Sequence, residues 1–391
     1  MKTPCKLIIV LCMAILLTGC WDLIELDQYF FISTIGIDTY NPEENAADEV
    51  EREVEGNEIS KENRFVVTYV APDLRAIGKN ATSDKPRIVM ASISSNPYET
   101  TKELATRTTR NFTFRHTKVV LLGEEIAKNR EYMKEILDNL GRHDQLSRKL
   151  NVLVVKGTAK EVINIEDPFE PETGYLINQI IGKKQGSSRY NDMVLEEILT
   201  ELYFSGNALF PRAIPGKGEV KVGGSGIVKD FKLVGWLEDA ENISAMFLMN
   251  RVSTAVINIV HENAIVPYVI TNSHTKNHVT MDGDKIKYTV NITTEGYIQQ
   301  YKLGAKEKIT DQKTIMNIEN ELEDTLSKQI RATFNKLQKE FKVDALGLGR
   351  NISKYNPKLW DDIKDDWEDI FPDIEFEINV DARLRRIGMT K

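Results

Sequence analysis

Few side chains in this 391-residue sequence stand where they could do chemistry, and the most telling is the thiol of Cys20, which follows Leu17-Thr18-Gly19. Elsewhere the candidates fall away one by one. Gly224-Ser225-Gly226 misses the spacing of a nucleophile elbow, because Ile227 stands where the final glycine belongs. Gly182-Lys183-Lys184 has neither the upstream glycine nor the following Ser or Thr of a phosphate-binding loop. His274 and His278 are four apart, but Lys276 lies between them and no third ligand is evident, so they read as exposed polar residues. His116, just before an apolar run, reads as a satisfied, half-buried histidine. Trp360 and Trp367, at helical spacing, read as core. A catalytic or metal-binding reading has no residues to rest on.

Cys20 is different because of what precedes it. Lys2 and Lys6 give a positive start, and Leu7 to Leu17 form an unbroken apolar run of 11 residues. That run is too short to span a hydrocarbon core of ~30 Å as a helix. It suits the apolar region of an export signal, with the small residues Thr18 and Gly19 before the cut. Leu17-Thr18-Gly19-Cys20 resembles the lipobox of bacterial lipoproteins, in which the cysteine receives a diacylglyceryl group and becomes the first mature residue. The resemblance implies no cofactor beyond this covalent lipid. One acyl chain holds a protein to a bilayer only marginally, at ~0.8 kcal/mol per buried CH₂, and two anchor it stably.

Cleavage before Cys20 would remove residues 1–19 and leave 372, a length that suggests two or three domains. Lys2 and Lys6 would go with the signal, moving the formal net charge from −8 to −10. So acidic a balance gives no general attraction to nucleic acid or to anionic lipid. All three cysteines, Cys5, Cys12 and Cys20, lie in the first 20 residues, so the expected mature chain has none to spare for a disulfide. Hydrophobic cores alone must hold the fold.

Tyr29 to Ile37 reads as one buried strand, with Gly36 marking a bulge or a close backbone approach. The acidic stretch Asn41 to Asn63 reads as a solvated loop between hairpin strands. Strands are expected at Arg64–Ala71, Arg87–Ser94, Lys118–Leu122 and Lys149–Val155. Helices are expected from Asn96-Pro97 to about Phe112, from Arg130 to Leu140 ahead of Gly141, and two or three times between Thr158 and Phe204. Such alternation argues for a mixed or mostly parallel sheet covered by helices. Pro211, Pro215 and the glycines of 206–226 suggest a domain boundary. A hairpin turning at Asp230, a helix near Glu238–Asn250, and strands near Val256 and Val266 would make a small middle unit.

The last part is the most legible. Asp282-Gly283 signals a tight hairpin. From Asp311 to Phe341 a helical stripe runs through Ile315, Ile318, Leu322, Leu326, Ile330, Phe334, Leu337 and Phe341. Asn356-Pro357 caps a second helix, and Ile374 to Leu384 alternates as a half-buried strand. The fold class expected is multidomain α+β. It comprises a signal at 1–19, an N-terminal α/β domain at 20–205, a middle domain at 206–265, and a C-terminal antiparallel sheet with a long helix at 266–391.

Three segments carry a family resemblance. They are Gly19-Cys20-Trp21-Asp22 with Glu25-Leu26 and Ile35-Gly36-Ile37-Asp38; Lys232-Leu233-Val234-Gly235-Trp236-Leu237; and Phe341-Lys342-Val343-Asp344 through Gly347-Leu348-Gly349, Trp360, Trp367, Ile370-Phe371-Pro372 and Arg385-Arg386-Ile387-Gly388. His116 and Val155-Lys156-Gly157 also fit. The chain resembles the Ger(x)C proteins, lipoprotein C subunits of spore germinant receptors, over essentially its whole length. It departs in its longer acidic loop and in Ser94-Ser95-Asn96, where the family has a glycine-lysine-threonine stretch.

The resemblance implies a non-enzymatic, three-domain protein lipidated at Cys20 on the outer face of the inner spore membrane, acting with integral A and B subunits. A small-molecule germinant is a further expected partner of the complex. Trp21, Asp22 and Glu25, which the anchor holds near the bilayer, are the contact residues expected. The competing reading is a lipid-anchored solute-binding protein, whose two similar lobes would flank a cleft.

Overall fold

The computed structural model describes residues 26–45, 64–76, 81–183, 188–282, 285–299 and 311–386. The first strands are β1 (Tyr29–Phe31), β2 (Thr34–Thr39), β3 (Phe65–Pro72), β4 (Arg87–Ser94), β5 (Asn111–Thr113), β6 (Val119–Leu122) and β7 (Asn151–Val155). After them come β8 (Ala208–Pro215), β9 (Val220–Lys229) and β10 (Lys232–Leu237). Eight of these form one mixed sheet in the order β10-β9-β8-β7-β6-β2-β3-β4. Its centre, β2, β6, β7 and β8, is parallel, and antiparallel pairs flank it on both sides.

The central strands are buried on both faces, as parallel strands under helices must be. Val119, Leu121, Leu153 and Val155 point into a core closed by α4 (Ala159–Ile163) and α5 (Thr173–Gly182). Val120, Leu122, Val152 and Val154 point the other way, onto α2 (Glu124–Lys128), α3 (Arg130–Arg142) and α6 (Leu195–Ser205). The N-terminal mixed sheet domain is thus as the alternating pattern predicts.

Two local expectations are corrected. The run 29–37 is two strands, not one: the Ile32 amide donates to Thr113 in the small β1–β5 sheet, while the Ser33 amide donates to Val70 in the large one. The helix expected to reach Phe112 is only α1 (Glu99–Ala105). Beyond Thr108-Thr109 the chain extends into β5, where Phe112 packs on Phe30 with centroids 5.2 Å apart. Gly36 does mark a close approach, since a Cβ there would lie 2.5 Å from Ile163 of α4. Thr39 pairs with Phe65, so the acidic stretch joins hairpin strands; only Pro42–Asn45, one helical turn, and the residues beside it are described, and 46–63 lie outside.

The segment 206–265 is shared out between the two large sheets. Its strands β8–β10 extend the first sheet, turning at Asp230-Phe231 with φ of 48° and 61°. Its helix α7 (Asp239–Leu248) bridges, and its last strand, β11 (Ala255–His261), opens the second sheet. That sheet continues through β12 (Ala264–Asp282), β13 (Lys285–Ile298) and β14 (Glu375–Arg386). Asp282 pairs with Lys285 in the expected hairpin, and Gly283 lies outside the described residues.

β14 joins β13 in parallel, so the C-terminal sheet is mixed rather than antiparallel. The cause is the long helical crossover between them, which returns the chain to the end where β13 began. It starts with α8 (Gln312–Asn335), continues as π turns over Lys336–Phe341, and ends at Lys342 with φ of 50°. Ile318, Leu322, Leu326, Ile330, Phe334 and Leu337 bury the predicted stripe against Ile286, Tyr288, Val290 and Ile292. Then come α9 (Leu348–Tyr355), α10 (Pro357–Ile363), capped by Asn356 as expected, and α11 (Trp367–Ile370). Leu209, Ile227 and Leu237 of the first sheet belong to this same core.

Candidate functional site

A cleft of about 940 Å³ lies between the two sheets, lined by α6, the turn after α7, the middle of β12, and α9. Its polar groups are mostly committed to one another. Arg251 donates to Glu197 at 2.8 Å and to Asp192 at 2.9 Å. Arg350 of α9 meets Glu201 of α6 at 2.5 Å. Burial pushes the Glu201 carboxyl up, against the pull of Arg350. The turn after α7 is stapled to β12, with Asn250 accepting from the Thr275 amide and Thr275 Oγ1 donating to the Phe247 carbonyl. His278 lines the cleft and is exposed.

Beside the cleft is a packed joint. Asp344 is fully buried and accepts from the amides of Leu348 and Gly349, at 2.9 and 2.7 Å, and from Trp367 Nε1 at 3.2 Å. Burial raises its pKa; those hydrogen bonds to the charged form oppose the shift. Gly349 must be glycine because a Cβ there would lie 2.8 Å from Trp367 Nε1 and 3.0 Å from Trp360. Trp360 packs edge-on to Trp367 and stacks on Phe204 at the end of α6. Lys336 reaches back to Glu241 of α7 at 2.8 Å and to the Trp236 carbonyl at 3.0 Å. Gly235 also lies against the Phe341 ring, so Lys232–Leu237 and the closing segment from Phe341 meet here.

The arrangement couples two sheets. Among the described residues no group of three or more His, Cys, Asp or Glu side chains is placed to hold a metal ion. Ser225 is buried in β9 and donates to Asn242 at 2.5 Å. His116 is exposed rather than half-buried, touching Phe31 edge-on. His274 is exposed on β12. Cys20, Trp21, Asp22 and Glu25 lie outside the described residues, as do Ile387 and Gly388. No helix among the described residues is long and apolar enough to cross a membrane.

Two further charged groups are held within the first sheet's packing, Arg212 fully buried and Asp38 half-buried. Arg212, fully buried, donates to both Glu238 oxygens at 3.0 and 2.8 Å and to the Gly223 carbonyl at 2.7 Å. Its one signal was a lone charge in Ala208-Leu209-Phe210-Pro211-Arg212-Ala213-Ile214. Asp38 accepts from the Ala159 and Lys160 amides at the start of α4, at 2.8 and 3.0 Å. Burial raises its pKa to about 6.

Comparison with known proteins matches both halves of this architecture. Residues 22–214 match the family described as spore germination protein N-terminal domain, and residues 223–388 that described as spore germination B3/GerAC like, C-terminal. The chain belongs to the GerAC-like family of spore germination proteins. Among its relatives, spore germination protein KC of Bacillus subtilis (strain 168) is 27% identical, over 98% of this chain and 95% of its own. Spore germination protein B3 of the same strain is 23% identical, over 99% of both chains. The crystal structure of the GerBC protein covers 86% of this chain and 100% of its own with a TM-score of 0.59; at 18% identity it speaks for the fold. Neither family description names a reaction. Of the residues that carry the resemblance, Gly235, Phe341, Asp344, Gly349, Trp360 and Trp367 pack where the two sheets meet.

Proposed function

We propose that this protein is the lipid-anchored C subunit of a nutrient germinant receptor, held at Cys20 on the outer face of the inner spore membrane and acting there with integral A and B subunits. The observation that carries the reading is the family match running through nearly the whole chain, from residue 22 to 388, directly behind the lipobox-like Leu17-Thr18-Gly19-Cys20. The role is non-enzymatic: the subunit presents surfaces to its partners, and two acyl chains keep it beside them, where modest affinity suffices. Trp21, Asp22 and Glu25 are the residues proposed to make the contact nearest the bilayer.

The test is a chromosomal Cys20→Ala variant, followed by membrane fractionation and by germination of purified spores on a panel of nutrients. Loss of membrane retention with loss of response to one nutrient class supports the receptor subunit and names its germinant class. Retention with normal germination overturns the anchor. Loss of retention with normal germination overturns the receptor role. A solute-binding protein would need two similar lobes about a hinge, whereas here an eight-stranded sheet joins a four-stranded one through a shared core.

A further inference from the structure

β11 is an edge of the C-terminal sheet: β12 lies on one side, and no described strand pairs on the other. The two are joined at Glu262-Asn263, with φ of 45° and 60°, and His261 stands opposite Ala264. That is the type I′ hairpin, whose closing pair exchanges both backbone bonds. Bonded pairs alternate along an antiparallel ladder. Ile257 and Ile259 therefore bond to β12, while Val256, Asn258 and Val260 turn their amides and carbonyls to the open edge. The same three side chains stand on the outer face, Val256 being 39% and Val260 68% exposed, with Ile257 and Ile259 buried beneath.

The other edges of the two large sheets are blunted. β14 carries Glu377, Asp381, Arg383 and Arg385; β10 begins at Lys232 and slips register between Leu233 and Gly235; across β4, Arg107 reaches the Ala91 carbonyl. From Ala255 to Val260 there is no charge, no proline and no register shift, which are the usual protections of an edge. The open stretch is bounded at Thr254, whose carbonyl accepts from the Ser188 amide at 2.9 Å.

Across this stretch the chain reads Val256-Ile257-Asn258-Ile259-Val260, the same in both directions. Such a strand is its own antiparallel complement. We propose that a second copy of this protein pairs there, β11 against β11, about a twofold axis through Asn258. Val256 of each copy then faces Val260 of the other, Asn258 faces Asn258, and the outward backbone groups are satisfied in one register. The two four-stranded sheets become one continuous sheet, and because the interface is isologous, association closes at two. The buried edge is small beside a stable dimer interface, so the pairing is weak in dilute solution and strengthens where copies are concentrated on one surface.

The test is oxidative cross-linking of the full-length chain carrying Asn258→Cys. The parent chain, which holds Cys5, Cys12 and Cys20, gives the background, and Thr271→Cys, on an exposed position of β12, serves as control. Bonded residues on facing strands have Cα atoms ~5.5 Å apart, inside the range a disulfide spans. The expected result is a covalent dimer for Asn258→Cys, formed at least tenfold faster than for either control, and slowed at least tenfold by adding Val260→Lys. Light scattering of the parent should show a mass rising with concentration toward twice the monomer. Cross-linking no faster than the controls, a monomer at every concentration, or a dimer indifferent to Val260→Lys would each overturn the proposal. Val260 is exposed, and an unchanged melting curve for Val260→Lys separates a lost interface from a lost fold.

Discussion

Gly235 of β10 lies against the ring of Phe341 so closely that a Cβ at 235 would overlap ring atoms Cε1 and Cζ. The contact joins the first sheet to the end of the long helical crossover, and it exists because position 235 carries no side chain. Gly235→Ala must push the ring or the strand aside, which costs about 1–3 kcal/mol in a close-packed site. The expected outcome is a lower urea midpoint, restored in part by Phe341→Leu, which gives the methyl room. A Gly235→Ala protein as stable as the parent would mean that the joint yields freely.

What the sequence made legible was local. The stripe from Ile318 to Leu337 and the alternation from Ile374 to Leu384 carry their own periodicity, and both elements stand where expected. What it hid was partnership between distant segments. Nothing in Tyr29–Ile37 says that neighbouring amides at Ile32 and Ser33 will bond to different sheets. The parallel seating of β14 likewise follows from the crossover and not from its own residues. The joint was half visible: its glycines and tryptophans stood out, but that Gly349 is needed beside Trp367 is a fact of packing.

Asp38 gives the fold a pH dependence with a definite sign. Its pKa rises from 3.8 to about 6 on folding because burial outweighs the two amides it accepts from. The folded state therefore binds more protons than the unfolded state between those values, and stability falls as pH rises through that window. The contribution, about 3 kcal/mol, is fully present below pH ~4 and lost above pH ~6. Urea midpoints of the parent and Asp38→Asn, compared from pH 4 to pH 7, should diverge in slope over this window. Parallel curves would show that Asp38 titrates normally.

Arg212 should be irreplaceable by lysine. Its planar fork serves both Glu238 oxygens and the Gly223 carbonyl at once, and it also lies over the Trp236 ring at 5.6 Å. An ammonium cannot meet those directions together. Arg212→Lys leaves the buried Gly223 carbonyl short of a donor, a loss of about 1–3 kcal/mol. Glu238 is itself exposed on its outer side, so the loss comes from geometry and desolvation rather than from an orphaned buried acid. Chemical denaturation of Arg212→Lys and Arg212→Met should show both well below the parent; a lysine variant matching it would refute the argument.

The pair Glu201–Arg350 ties α6 to α9 across the cleft, and its two ends are unequal: the Glu201 side chain is 8% exposed and that of Arg350 48%. Removing the arginine strands a mostly buried carboxylate, whereas removing the carboxylate leaves a cation free to turn to water. Arg350→Ala should therefore cost more than Glu201→Gln. The coupling from a double-mutant cycle should come to about 1 kcal/mol, since half the pair is screened by solvent. The asymmetry has a pH signature as well. Burial already raises the Glu201 pKa with Arg350 in place, so Arg350→Ala should raise it further. The variant's deficit should then be small at low pH and grow toward neutrality, as the unfolded state gives up a proton that the folded state keeps. Equal losses at both ends, or a deficit that shrinks with rising pH, would show that burial does not set the two ends of the pair apart.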